Sequence, residues 1–142
     1  MKINFANMTS ILMIFFIYAS DLSSKDNSLK MNDECLKANR DIEDVSIINL
    51  IATPEKYNGK CVRIRGMLAT GHESNAIFLD EGSYKNFIYA NSISLVLTSQ
   101  QVEHFSGGNG AYALVEGMFE QEMQTDLSFQ GRIKKISRIA FW

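Results

Sequence analysis

The chain has 142 residues, of which 46% are hydrophobic and 21% are charged, with a formal net charge of -2. This length suffices for one domain with a buried core, and a single proline with no low-complexity tract excludes extensive disorder. The nearly neutral charge provides no global attraction to nucleic acid or to an anionic membrane.

The amino terminus has the pattern of an export signal. One lysine precedes an apolar run from Ile11 to Tyr18, which is followed by Ala19. A run of about eight residues is too short to cross a bilayer, which needs roughly 20, but it matches the hydrophobic region of a secretory signal peptide. We predict that residues 1–19 are a cleaved signal peptide and that the mature protein is periplasmic or secreted, without a stable membrane span. A buried strand or helix and an uncleaved anchor are the alternatives.

A polar segment follows, and it contains one of two cysteines. Residues 20–44 have little hydrophobic periodicity and are predicted to be a lead-in or tether. In an oxidising compartment, the pair Cys35 and Cys61 indicates a disulfide, which would stabilise the fold by roughly 3 to 4 kcal/mol. Two free thiols are the alternative, and two cysteines alone do not form a zinc site.

The proposed domain, residues 45–142, opens with a short helical region. Ser46 can cap a helix in which Ile47 and Leu50 recur at helical spacing. Pro54 suits the first turn of a second helix.

Five strand patterns come next. The first strand follows a turn at Asn58-Gly59 and has the sequence KCVRIRGMLAT. The second and third strands are NAIFLD and NSISLVLT, and the aromatic-rich insert EGSYKNFIYA separates them. A short helix, SQQVEHFS, precedes the fourth strand AYALVEGMFE, and the fifth is GRIKKISRIAFW. In the fifth strand Ile133, Ile136 and Ile139 recur every three residues, which predicts a bulge or a bend.

Five strands with a small helix between the third and the fourth match the OB-fold, a five-stranded Greek-key barrel. The first and fourth strands are neighbours in that barrel, and they contain nearly the same phrase, GKCVRIRGML and GAYALVEGMF. Gly66 and Gly117 would let these two strands bend to close the barrel. Coincidence between two amphipathic strands is the alternative.

The domain resembles uncharacterised bacterial exported proteins with an OB-like domain, which belong to the tRNA-anticodon-binding-like OB superfamily. The matching residues are Leu50, Pro54, Tyr57, Gly59, Lys60, Val62, Gly66, Tyr112, Val115, Glu116, Gly117, Phe119 and Gly131. The resemblance implies a fold and brings no catalytic motif. Nucleic-acid binding is not inherited with the shape.

Residues with catalytic or metal-binding chemistry are few. His72 and His104 each adjoin a glutamate, but their spacing does not form a metal-binding pair, and they are predicted to be solvated loop residues. Adjacent carboxylates such as Asp80 and Glu81 show no arrangement that would separate their pKa values. We predict no catalytic residue, metal or cofactor, and expect a protein that is not an enzyme. A small hydrolase or metal enzyme is the least favoured class.

An OB-fold binds oligonucleotides or oligosaccharides across its second and third strands. Single-strand binders need basic residues and exposed aromatic rings there. Phe78 is the one candidate ring, and a core position is the alternative for it. Glu120, Glu122 and Asp126, in the loop predicted after the fourth strand, would repel phosphate. Nucleic acid is therefore a less favoured ligand.

The first and fifth strands carry a basic cluster that is the candidate docking patch. Its members are Arg63, Arg65, Arg132, Lys134, Lys135 and Arg138. Such a patch can dock a protein or an anionic envelope polymer, and a solvated wall balanced by acidic loops is the alternative. We predict a non-catalytic exported binding domain. The alternative function is an oligonucleotide- or oligosaccharide-binding OB module.

The export signal can be tested by itself. Residues 1–25 fused to a reporter should carry the reporter out of the cytoplasm, because the apolar run would be read as a signal sequence. Cell fractionation measures the result. Retention of the reporter in the cytoplasm would contradict the signal-peptide interpretation.

Overall fold

A computed structural model describes residues 31–37, 41–71, 74–121 and 129–142. The strands in those residues are β1 (Glu43–Asp44), β2 (Cys61–Ala69), β3 (Ala76–Phe78), β4 (Ser92–Leu95), β5 (Tyr112–Gln121) and β6 (Gly131–Phe141). The helices there are α1 (Glu34–Lys37), α2 (Ile47–Ala52), α3 (Pro54–Tyr57), α4 (Glu81–Lys85) and α5 (Ser99–Phe105). Short 3-10 turns lie at Tyr89–Asn91 and Ser106–Gly108.

Strands β2 to β6 form a closed barrel in the order β2, β3, β4, β6, β5, with β5 pairing back to β2. The β4–β6 pair is parallel, and the other barrel pairs are antiparallel. Helices α2 and α3 precede the barrel, and α5 connects its third and fourth strands. This is the OB-like topology. The predicted fold class, a mainly β five-stranded barrel with these helices, is confirmed.

Alternating side chains of the strands fill the barrel interior. Ile64 of β2, Ile93 of β4 and Phe119 of β5 have no exposed surface. Ile47 and Leu50 of α2 join the same cluster of buried side chains. Because burial of each such side chain contributes about 1.5 to 3 kcal/mol, this interior is the main source of stability.

The helices before the barrel begin where the sequence predicts. The Ser46 hydroxyl accepts a hydrogen bond from the Asn49 N–H at 3.1 Å, which caps α2. Pro54 then occupies the first turn of α3. Gly59 has a positive φ of 77°, which glycine adopts without strain, and it turns the chain into β2.

Strand β2 changes partner near its middle. Its first part pairs with β5, and from Met67 onward it also pairs with β3. A Cβ atom at Gly66 would lie 2.2 Å from the carbonyl oxygen of Phe78. Only glycine lets the β3 backbone approach this closely, so Gly66 is the position where the barrel wall bends.

The two copies of the repeated phrase are neighbouring strands, as predicted, but their glycines do not face each other. Gly66 pairs with Ala113, and Gly117 pairs with Val62. Antiparallel strands run in opposite directions, so equal positions of the two phrases meet at one point only, where Ile64 pairs with Val115. Each glycine therefore allows the close approach of a different strand, β3 at Gly66 and β6 at Gly117.

Strand β6 contains the predicted bulge. Its register against β5 shifts at Gly117, where a Cβ atom would lie 2.6 Å from the Ile133 side chain. Lys135, in the extra loop of the bulge, has a left-handed φ of 52°. The bulge lets Ile133 and Ile136 both point into the core despite their three-residue spacing.

The segment before the domain is attached to the barrel where the structure describes it. Cys35 and Cys61 form a disulfide, as predicted. The Asn32 N–H donates to the Ile136 carbonyl at 2.9 Å, and β1 pairs in parallel with β2. Residues 1–30 lie outside the described part of the chain, so the signal peptide and the first part of the tether stay predictions. The domain boundary at residue 45 also stays a prediction.

Long apolar helices are not found in the described ranges. None of the helices there has the length and hydropathy needed to cross a membrane.

The role of Gly66 predicts a large loss of stability on adding one methyl group. Gly66→Ala should lower the free energy of unfolding by roughly 3 kcal/mol or more, because the Phe78 backbone must move. Urea unfolding measures the effect. The control is Gly107→Ala, where a Cβ meets no atom within 4 Å and the change should stay within about 0.5 kcal/mol. Equal effects of the two substitutions would contradict this role.

Candidate binding site

The predicted docking patch is a wall of ion pairs on the outer face of β1, β2, β5 and β6. Glu116 of β5 is 4% exposed and lies between two arginines on the neighbouring strands. Arg63 Nε donates to Glu116 Oε1 at 2.7 Å, and Arg138 Nη1 is 3.7 Å from the same oxygen. The register that pairs Glu116 with both Arg63 and Arg138 produces this row.

The remaining four cations of the wall also have carboxylate partners. Both terminal nitrogens of Arg65 donate to Asp44, at 2.6 and 2.9 Å. Arg132 and Lys134 both bind the Glu120 carboxylate. Lys135 Nζ lies 2.6 Å from Glu34 Oε1, which joins α1 to the bulge of β6.

These ion pairs shift the pKa values of three groups of the wall. Hydrogen bonds from Lys134 and then Arg132 lower the pKa of Glu120. The hydrogen bond from Arg65 lowers the pKa of Asp44, and the same bond raises the pKa of Arg65. All six cations of the wall therefore form ion pairs with carboxylates of β5, β1 and α1. The sequence suggested acidic loops as their balance, whereas the carboxylates come from adjacent elements.

The outer face of β3, where an OB-fold would hold a ligand, is covered by aromatic side chains of the same chain. Phe78 is 1% exposed. Its ring centroid lies 5.9 Å from that of Tyr84 and 5.7 Å from that of Tyr89. Tyr89 in turn contacts Phe129 at 5.3 Å. The rings that could stack on bases stack on one another, so Phe78 is not the exposed platform that a single-strand binder needs.

A groove opens beside this aromatic cluster, at the end of β2. Its volume is about 750 Å³, and its described lining comes from the β2–β3 connection, from the segment after β4 and from α5 with its C-cap. The lining residues are Thr70, Gly71, Asn75, Leu97, Ser99, Val102, Glu103 and Ser106. Thr70 and Gly71 also line a second cavity of about 290 Å³, on the side of Tyr84, Phe87 and Tyr89. The two cavities therefore share two lining residues at the end of β2.

Thr70 is the unusual residue of this groove. It is 8% exposed, and among the described residues its Oγ1 is the one buried side-chain polar atom without a hydrogen-bond partner. Its backbone N–H donates to Asn109 Oδ1 at 3.1 Å, and the Gly71 N–H donates to Asn75 Oδ1 at 3.2 Å. Both amide oxygens are thus used to hold the backbone. Because the oxygens face the backbone, the Nδ2 donors of the two asparagines are oriented away from it.

Phe87 lies beside the smaller cavity in a strained backbone conformation. Its side chain is 65% exposed, and its φ is 51°, in a region that bulky residues avoid. The Ile88 N–H donates to the Ser83 carbonyl at 2.9 Å and the Tyr89 N–H to the Phe87 carbonyl at 3.0 Å. These bonds fix the backbone of the turn on both sides of Phe87.

The other candidate residues of the sequence are separated from the groove or have structural roles. His104 is exposed and contacts the Phe105 ring edge-to-face at 4.9 Å. Asp80 Oδ1 accepts from the Ser83 N–H at 2.7 Å and caps α4, and Glu81 pairs with Lys85. Within the described ranges, no three potential metal-ligating side chains cluster.

Some candidates cannot be placed. His72, Glu122 and Asp126 lie outside the described residues. The expectation that the protein is not an enzyme remains a prediction.

Sequence reasoning did not find the groove. Its described polar lining comes from the turn after β2 and from α5 with its C-cap, which are separated in the sequence by β3 and β4. Their composition predicts a turn and a helix, and nothing in either segment indicates that the two lie side by side. Only the closing of the barrel brings them together.

A scan against models of known families finds no match, and a search of curated proteins also finds none. Among solved structures, one similar chain is described as an aspartyl-tRNA synthetase from Leishmania major Friedlin, with 15% identity and a TM-score of 0.44. The alignment covers 70% of this chain and 20% of that one. This chain thus spans about a fifth of that protein, and no residue role is transferred from it.

The ion-pair wall predicts a pH-dependent stability. The carboxyl pKa of Glu120 is lower in the folded protein than its ordinary value of 4.5. Its contribution is therefore fully present above about pH 4.5 and is lost as the pH falls through the folded pKa. Glu120→Gln should destabilise the protein at neutral pH and lose this effect in acid. Urea unfolding at both pH values measures it.

The control for this experiment is Glu55→Gln. Glu55 is exposed in the first turn of α3 and is not a member of the wall. This control should show a smaller difference between neutral and acidic pH. A penalty for Glu120→Gln that is equal at both pH values would contradict the assignment.

Proposed function

We propose that the protein is an exported, non-catalytic binding domain that holds its ligand in the groove at the end of β2. The groove itself carries this proposal, because it places polar side chains of the β2–β3 connection and of α5 around one open volume. Thr70, in its lining, has a buried hydroxyl without a partner in the described chain. Such a group costs about 1 to 3 kcal/mol and calls for a structural or functional explanation. The volume of about 750 Å³ also lies in the range of small-molecule sites.

The groove is a better candidate contact than the wall. Each of the six wall cations already binds a carboxylate, so a docking partner would have to replace those bonds. Exposed ion pairs contribute little on their own, and together they leave only a small surplus of positive charge. The wall therefore offers a weak attraction to an acidic partner.

The disulfide supports the exported location. Disulfides persist in oxidising compartments and are rare in a reducing cytosol. Cys35 and Cys61 are bonded to each other. The bond agrees with the apolar run at the amino terminus that has the length of a signal-peptide core.

The non-catalytic role is supported by the use of the acidic residues. Glu116 and Glu120 are bound by cations of the wall, and Asp80 caps a helix. Glu103 is the one carboxylate in the described lining of the groove. General acid–base chemistry on a substrate commonly needs a second group with a different pKa beside the first.

A groove-filling substitution tests the proposal. Ser99 is exposed and lines the groove, so Ser99→Trp should fill it. Gln100→Trp adds the same side chain on the next helical residue, about 100° around the helix. Wild-type protein and the Gln100→Trp control should both retain a component of an envelope or culture-medium extract. The Ser99→Trp variant should lose that component.

The readout is the retained material, analysed for sugar, peptide and nucleic acid. Retention that is equal for the two tryptophan variants would contradict the groove as the binding site. Failure of the wild-type protein to retain anything would contradict the binding function itself.

A further inference from the structure

The smaller cavity beside the end of β2 has an aromatic lining without charge. Its volume is about 290 Å³, and its lining includes Phe78, Tyr84, Phe87 and Tyr89. Phe78 is buried, the two tyrosines are half-buried, and Phe87 is exposed. None of the described lining residues of this cavity is charged. A charged ligand therefore finds no counterion there, whereas an apolar group gains contact with the rings.

Phe87 presents its ring from a turn whose backbone is fixed. Its φ of 51° is uncommon for a bulky residue, and residues held in such conformations cluster at functional sites. The Phe87 N–H donates to the Tyr84 carbonyl at 3.2 Å, and the Tyr89 N–H donates to the Phe87 carbonyl at 3.0 Å. Because the backbone is ordered before a ligand arrives, little conformational entropy is lost when the ring makes a contact.

The accessible polar side chains of the cavity can donate hydrogen bonds, and the one amide acceptor is already used. Asn109 is exposed, and its Oδ1 accepts from the Thr70 N–H at 3.1 Å, which leaves its Nδ2 as a donor. The Tyr84 hydroxyl reaches the same oxygen only at 3.5 Å, which is long for a hydrogen bond, so it can donate to a better acceptor. The Thr70 hydroxyl is buried and takes no part. This lining suits a ligand that brings acceptors.

A proline-rich peptide has the matching chemistry. Each ordinary peptide residue brings an N–H that needs an acceptor, whereas a proline residue brings a carbonyl oxygen and no N–H. A run of prolines is uncharged and already forms the polyproline II helix, so it loses little entropy on binding. Such segments dock in grooves lined by aromatic side chains. The rings, the donors and the lack of charge in this cavity meet all of these conditions together.

We propose that the smaller cavity is a second binding site, which takes a proline-rich segment of a partner protein in the polyproline II conformation. Phe87 and Tyr89 contact its proline rings, and the Tyr84 hydroxyl and the Asn109 amide donate to its carbonyl oxygens. This inference goes beyond the proposed function of the groove, because none of these four side chains belongs to the described lining of the groove.

The probe is decaproline with both ends blocked. An uncharged Gly–Ser decapeptide and cellotriose, a neutral trisaccharide, are the comparison ligands. Each is titrated into the full chain with its disulfide intact, and binding is followed by calorimetry and by amide NMR shifts. Decaproline should bind and shift the amides of Tyr84, Phe87 and Asn109. The two comparison ligands should not shift these amides.

A variant that removes one hydroxyl separates binding from folding. Tyr84→Phe keeps the ring, whose centroid lies 5.9 Å from that of Phe78, so the melting temperature should stay close to that of the wild-type protein. The affinity for decaproline should fall roughly three- to ten-fold through the loss of one hydrogen bond. The control is Tyr112→Phe, which removes a hydroxyl from an exposed side chain outside the described lining and should leave the affinity unchanged.

Two further variants locate the peptide. Phe87→Ala should lower the affinity for decaproline about ten-fold through the loss of a ring contact. Its control is Ile88→Ala, at an exposed neighbour outside the described lining, which should bind decaproline like the wild-type protein. Ser99→Trp fills the groove and should also leave this binding unchanged, because Ser99 is not among the described lining residues of the smaller cavity.

The inference is overturned if decaproline does not bind, or if Tyr84→Phe or Phe87→Ala binds it as tightly as the wild-type protein. Shifts of the same amides by the Gly–Ser peptide or by cellotriose also overturn it. Loss of decaproline binding in Ser99→Trp would assign the peptide to the groove, which overturns the second site and supports the proposed function. Equal retention of the extract component by both tryptophan variants would overturn the proposed function and leave the second site standing.

Discussion

The close approach of the β3 backbone to Gly66 is the constraint on which the rest of the structure depends. A side chain at this position would collide with the Phe78 carbonyl oxygen, 2.2 Å from where its Cβ would lie. Because the side chain is missing, β2 can leave β5 and continue along β3, and the sheet closes into a barrel. The same bend carries the end of β2 to Thr70 and Gly71, between the aromatic cluster and α5. The groove thus follows from barrel closure.

The wall and the covered face hold the charged and aromatic groups of the described barrel in contacts within the chain. Its cations are distributed over two strands with a row of carboxylates between them, so positive charge is neutralised within the sheet. Its aromatic rings are gathered over β3 by α4 and the 3-10 turn that follows it, where they bury Phe78. A single-strand binder leaves both kinds of group free. In this chain they contact one another, and the groove at the end of β2 is an open concave surface in the described part of the chain.

The described part of the amino-terminal segment is cross-linked to the wall of the barrel. The disulfide joins α1 to the first residue of β2, and the Glu34–Lys135 pair joins the same helix to the bulge of β6. Helix α1 has only four residues and could not persist alone. Cross-links to two strands of the barrel compensate for its short length. The segment that looks like a tether in the sequence is, in its described part, attached to the barrel wall.

Local patterns in the sequence determined the order of the elements. The Ser46 cap, the turn at Gly59, the five strand patterns and the bulge signalled by three isoleucines are consequences of residue preferences within a few positions. The sequence also identified the six basic residues of the wall, but not their partners, because an ion pair such as Arg63–Glu116 joins residues on different strands. Only the tertiary structure decided that Phe78 is covered and that Thr70 lies buried beside Asn109. Those facts depend on which strands become neighbours when the barrel closes, and the spacing of residues along the chain does not contain them.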